Sequence, residues 1–342
     1  MMISNDEQVT AMFAFGDSLI DNGNNNFLNS FAKANYIPYG IDFNGGIPSG
    51  RFTNGLTIID YLGELLGLPL IPAFANPFKN IHKGVNYASA AAGILQLTGQ
   101  NLGERFSLRQ QVDNFRMTLT ELRIQMNRQD LSKYLKKSIA VMILGSNDYL
   151  NNYLNPAFPS SKFYNPEAFA NLLINRYTTH ILTLHGHGLR KFLLAGVAPM
   201  GCIPSQLAVS ATGKCSKYVN NVVEMFNRRL KSLVIRLNTE FPESIFVYGD
   251  TFAAFSELIQ NSTKYGLNVA DKGCCGVGRN KGQISCLPFF RPCRNRDEYV
   301  FWDAFHPTQA ANRIIAQRAY NNNNGTSFNY CYPINVKQMA HL

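Results

Sequence analysis

The feature that most constrains this 342-residue chain is an alternation of short apolar runs with helical patterns. The runs occupy residues 11–15, 84–88, 141–144, 192–197 and 245–248, each uncharged and of strand length. Apolar residues recur at helical spacing over 58–66, 108–126, 166–184, 218–237 and 308–320. Strands that alternate with helices pair in parallel through right-handed crossovers, which predicts a three-layer α/β/α domain. Residues 22–77 read mostly as loop, rich in Gly, Pro and Asn. No internal repeat and no linker divides the chain. One domain over 11–332 is expected, with an unstructured or trimmed stretch at 1–10 and a tail at 333–342.

The first run stops at Gly16-Asp17-Ser18 and runs into the turn-forming Asp21-Asn22-Gly23-Asn24-Asn25-Asn26. Open α/β sheets bind ligands beyond the carboxyl ends of their strands, which is where Ser18 stands. A serine hydroxyl is a weak nucleophile and needs a base. Of 6 histidines, His82, His180, His185, His187 and His341 lie in polar, helix-end or terminal settings. His306 instead follows an apolar run, three residues after Asp303 and just before Pro307. That spacing lets a carboxylate orient an imidazole. The run 140–144 ends at Gly145-Ser146-Asn147-Asp148, where the Asn147 amide is a candidate donor to an oxyanion. Each piece alone has a plain reading: a Ser/Asp helix cap, an N-cap beside a half-buried histidine, and ordinary Asn-Asp turn chemistry.

Together and in this order, these pieces resemble the GDSL esterase/lipase family, the SGNH hydrolases, and most closely its plant secreted branch. The likeness extends from Phe13 to Tyr332 and includes Phe15-Gly16-Asp17-Ser18-Leu19, Gly50-Arg51-Phe52-Thr53-Asn54-Gly55, residues 84–93, and Trp302-Asp303-Ala304-Phe305-His306-Pro307. The resemblance implies a flavodoxin-like five-stranded parallel sheet in the order 2-1-3-4-5. It implies Ser18 as nucleophile, His306 as base and Asp303 as its partner. The backbone N–H of Ser18 and the amide of Asn147 would hold the oxyanion. A second backbone donor is usually a glycine; this chain has Ala90-Ala91-Ala92, and the glycine aligns with Ala91 or Ala90. An N–H survives exchange of glycine for alanine where φ stays negative. The implied activity is carboxylic ester hydrolysis through an acyl-enzyme, on small-molecule, lipid or polysaccharide esters. No metal or organic cofactor is expected.

Lys and Arg total 32 against 22 Asp and Glu, a net charge of +10. The basic residues are scattered, as in Arg105, Arg109, Arg116, Arg123 and Arg128, and form no block. Nucleic-acid binding is therefore not expected; an acidic polysaccharide or anionic membrane would suit such a surface. No run approaches the length of a transmembrane helix, and a monomer is expected.

Seven cysteines fall after residue 200. Cys202 and Cys215 bracket a short loop and are the expected pair. Cys274, Cys275, Cys286 and Cys293 lack the close pairs that zinc sites prefer and are expected as disulfides of open connectivity, with one odd thiol. Disulfides indicate an oxidising compartment, and the sequons at Asn261 and Asn324 agree with secretion. Residues 1–10 lack the basic and apolar regions of a signal peptide, consistent with trimming. Acyl transfer to an alcohol, an inactive wall-carbohydrate binder, and a nucleic-acid binder are the competing readings. Arg51 is either a carboxylate or sugar ligand or a loop anchor.

Overall fold

The computed structural model describes residues 9–321 and 329–342. Five parallel strands form the sheet: β1 (Met12–Gly16), β2 (Gly84–Asn86), β3 (Ile139–Ile143), β4 (Lys191–Ala195) and β5 (Ile245–Gly249). Their spatial order is 2-1-3-4-5, as the resemblance implied. The five-stranded expectation is corrected at one edge. A two-residue strand, Cys331–Tyr332, adds antiparallel to β5 as a sixth member. It is too short to show a period in the sequence.

Strand side chains alternate between faces, so each face builds its own core. Phe13 and Phe15 of β1 point to one side and pack with Val112, Phe115 and Leu119 of the helix Leu108–Gln125. The helices Arg128–Lys137, Pro166–Gly186 and Lys217–Glu240 complete that layer. Met12 and Ala14 point the other way, against Ile58–Leu65, Thr251–Gln260 and Gln309–Tyr320. Of the five parallel strands, all except β5 are buried along their whole length, which explains their uncharged runs.

Helical pieces beyond the five expected also form. Arg128–Lys137 has only Leu131, Tyr134 and Leu135 buried, and Asn127 caps it, its side chain accepting from the N–H groups of Gln129 and Asp130. Thr251–Gln260 is capped by Asp250, and Pro204–Val209 is a short turn. Val336–Ala340, in the stretch read as a tail, buries Val336, Met339 and Ala340 in the second core. Val9 is buried and Thr10 Oγ1 donates to the Tyr134 carbonyl at 2.7 Å, so these two residues are packed rather than unstructured. A second small sheet joins Val269–Gly273 to Tyr299–Phe301, immediately before Asp303.

Candidate active site

Loops beyond the carboxyl ends of β1, β2 and β3 form one wall of a cleft, and the turn after Tyr299–Phe301 supplies the other. Ser18 follows β1 by two residues. The end of that strand is braced by Gln111, whose side chain accepts from Gly16 N–H and donates to its carbonyl, both at 2.8 Å. His306 Nε2 lies 2.8 Å from Ser18 Oγ, although the two are 288 residues apart. His306 Nδ1 lies 2.9 Å from both oxygens of Asp303.

Asp303 is fully buried. Its Oδ1 accepts from the N–H groups of Phe305 and His306, each at 2.8 Å, and Tyr39 donates its hydroxyl to Oδ2 at 2.5 Å. Burial alone would raise this carboxyl. The neighbouring imidazole and the donors from His306 and Tyr39 outweigh it and hold the group below its ordinary 3.8. Burial and the Asp303 charge keep the Tyr39 phenol protonated well above 10, so it remains a donor. Phe52 lies against the imidazole, with ring centroids 5.1 Å apart.

The Asn147 side chain spends one N–H on the Ala92 carbonyl at 2.9 Å, and its oxygen accepts from Asn151 at 2.7 Å. Its second N–H has no partner among the described residues, and Asn147 lines the cleft together with Ser18, Ala91 and His306. The backbone N–H groups of Ser18 and Ala91 have no partner among the described residues, whereas Ala90 N–H donates to Asp21 and Asn25. Three N–H groups without a partner among the described residues therefore belong to residues that line the cleft of Ser18 Oγ. The cleft encloses about 400 Å³ and is walled mainly by apolar groups, among them Phe31, Leu102, Leu150 and Phe305. Among the described residues, no group of three or more His, Cys, Asp or Glu is arranged to hold a metal ion.

This arrangement invites comparison with known proteins. The profile described as GDSL-like Lipase/Acylhydrolase matches residues 12–319. The Arabidopsis thaliana GDSL esterase/lipase At5g08460 is 56% identical over 97% of this chain and 88% of its own. A second Arabidopsis thaliana protein, GDSL esterase/lipase At1g71250, is 51% identical over 100% of this chain and 91% of its own. The chain belongs to the GDSL esterase/lipase family. Among solved structures, Est24, a carbohydrate acetylesterase from Sinorhizobium meliloti, matches at 12% identity with a TM-score of 0.35, over 90% of this chain and 94% of that one. The family assignment does not rest on that likeness.

The GDSL chain departs from expectation at Ala91. Its φ is +67°, not negative. An L-residue there costs roughly 1–2 kcal/mol. The surroundings impose the conformation. Ala90 and Ala92 are tied on either side, and the Ala91 carbonyl packs so closely on Gly99 that a Cβ there would sit 2.0 Å from its oxygen.

Arg51 is resolved as a loop anchor. It is 5% exposed, binds Asp60 through two nitrogens at 2.8 and 2.9 Å, and lies over Phe43. Asp60 also accepts from Thr57 at the start of Ile58–Leu65. Cys202 pairs with Cys215, Cys274 with Cys293 and Cys275 with Cys286. Cys331 is the buried odd thiol. Asn261 is exposed at the end of Thr251–Gln260; Asn324 lies outside the described residues.

Sequence reasoning missed four positioning groups: Tyr39, Gln111, Asp21 and Asp148. The last two stood inside motifs already singled out. Tyr39 gave no signal, because its partner is 264 residues away.

Proposed function

We propose that this GDSL family hydrolase cleaves carboxylic esters through a Ser18 acyl-enzyme. Ser18 Oγ attacks the carbonyl carbon as His306 Nε2 takes its proton, forming the new C–O bond. The carbonyl π pair moves onto oxygen, where Ser18 N–H, Ala91 N–H and the free Asn147 N–H receive it. Collapse breaks the bond to the alcohol oxygen, and His306 returns the proton to that leaving group. Water repeats the sequence and frees the acid. Asp303 holds the imidazole tautomer and balances its charge. The observation that carries this reading is the unbroken line from Asp303 through His306 to Ser18 Oγ, with spacings of 2.9 and 2.8 Å.

An alcohol acceptor entering in place of water would make the same intermediate an acyltransferase; the apolar cleft walls favour an acceptor that displaces water. Three disulfides and an exposed sequon at Asn261 support a secreted protein. A monomer suffices, since every group named comes from a single chain.

Two measurements test the mechanism. A fluorophosphonate probe labels the parent chain on the Ser18 peptide and leaves Ser18→Ala unlabelled; persistent labelling of that variant places the nucleophile elsewhere. Asn147→Ala keeps its fold, and its kcat on a short nitrophenyl ester drops about a hundredfold. Turnover within threefold of the parent rejects the donor role.

A further inference from the structure

The Ala91 peptide is a strained element with no reason of its own to stay where it is. Alanine at a φ of +67° relaxes unless its neighbours over-determine it. The neighbours do so from two directions. On the amino side, Ala90 N–H donates to Asp21 Oδ2 at 3.0 Å and to Asn25 Oδ1 at 3.1 Å, while Asn25 Nδ2 donates to the Ala90 carbonyl at 3.2 Å. On the carboxyl side, Asp148 receives Ile94 N–H at 2.7 Å, Leu95 N–H at 3.0 Å and Thr98 Oγ1 at 2.7 Å. Asp148 is fully buried, as is Asp21. Neither carboxylate pairs with a cation among the described residues, and both spend their acceptors on this one loop and on the turn that follows β1. Buried carboxylates are costly, so a structure that keeps two of them for backbone N–H groups invests in the geometry of that backbone.

We propose that Asp148 and Asp21 are positioning residues for ester cleavage, which grip the chain on both sides of Ala91 and keep its N–H free for the oxyanion. The proposal rests on the acyl-enzyme reading above and deepens it. The turn that carries Asn147 then does two jobs: residue 147 offers its own N–H, and residue 148 sets a second donor supplied by another strand. Release of the grip lets Ala91 return to negative φ. That rotates the adjoining peptide and turns the N–H away from the cleft. Substrate binding, which depends on the apolar walls, is unaffected by this rotation.

Asp148→Asn is the sharp test, because its NH2 replaces one of the two accepting oxygens, so that either Ile94 N–H or the Leu95 N–H and Thr98 hydroxyl pair faces a donor and loses its acceptor. Its kcat on a short nitrophenyl ester falls at least about tenfold while KM stays within about twofold, the pattern of a contact made only in the transition state. Ala91→Gly supplies the decisive background, since glycine occupies the left-handed region without strain. In that background the same substitution costs less than about threefold in kcat, a non-additivity expected only of coupled positions. Thr98→Val removes one donor from Asp148 and gives a smaller kcat loss with the same dependence on residue 91, should Asp148→Asn fold poorly. Equal losses in both backgrounds, or a raised KM at unchanged kcat, overturn the proposal. A crystal structure of Asp148→Asn that keeps Ala91 left-handed overturns it without reference to activity. Failure of the parent chain to label at Ser18 is a separate outcome, which rejects the acyl-enzyme reading and not the grip.

Discussion

Asp303 is the residue whose environment does most to define the cleft. A carboxyl buried without partners takes up a proton and cannot orient a base. Here His306, two backbone N–H groups and Tyr39 reverse that tendency. Because the folded carboxyl is held below its unfolded value of 3.8, it stabilises the native state fully above about pH 4, and that contribution is lost as pH falls through the folded value. Tyr39→Phe removes one donor and keeps the ring packing against Phe52 and Trp302. The folded value then rises toward 3.8, neutral stability drops by about 2 kcal/mol, and acid unfolding starts at higher pH. The kcat drops about tenfold as the imidazolium loses part of its support. Melting curves taken from about pH 3 to pH 6 check the sign; parent and variant profiles that superimpose would remove Tyr39 from the network.

The loop after β2 shows which features a linear sequence displays and which it hides. The parallel strands were legible because each is mostly buried and, apart from Lys191 at the start of β4, uncharged, and the helices because each lays one face on a core. The short sheet pairing Val269–Gly273 with Tyr299–Phe301 was not, since pieces of five and three residues, the first with exposed Asp271 and Lys272 inside it, carry no period. Ala91 is the clearest case. Nothing in Ala90-Ala91-Ala92 signals a left-handed residue, because alanine ordinarily signals its opposite. The conformation comes from Asp21, Asn25, Asn147 and Asp148, which are distant in sequence or were read for other roles. Ala91→Gly should therefore stabilise the chain by about 0.5–1 kcal/mol, the relief of strain minus the extra entropy of unfolded glycine. For a protein of this size the midpoint rises by one or two degrees. A lower midpoint in differential scanning calorimetry would mean the loop carries no such strain.

Ser18 and His306 meet across nearly the whole polypeptide, so the molecule needs something to hold its far end in register. The order of the motifs was readable; the cysteine connectivity was not, because pairing follows from folded distances and not from spacing. Two nested disulfides, Cys274–Cys293 enclosing Cys275–Cys286, close loops of 19 and 11 residues beside the catalytic turn. Cys274 N–H donates to the Phe301 carbonyl at 3.0 Å and Cys275 N–H to that of Trp302 at 2.7 Å, directly before Asp303. Loops of this length stabilise by about 3 kcal/mol each when cross-linked. The central sheet, by contrast, contains none of these four cysteines. Cys331 sits in the sheet edge, 3% exposed, with burial pushing its thiol up to about 12. It cannot act as an exchange nucleophile at neutral pH. The native chain should therefore show no thiol reactive to a chromogenic disulfide reagent, and a single one after denaturation without reductant. Reductant sufficient to open the two nested pairs should abolish ester turnover while far-UV dichroism persists, because the turn bearing Asp303 and His306 loosens before the sheet does. Simultaneous loss of activity and dichroism would show that the disulfides stabilise the whole fold and not the catalytic turn in particular.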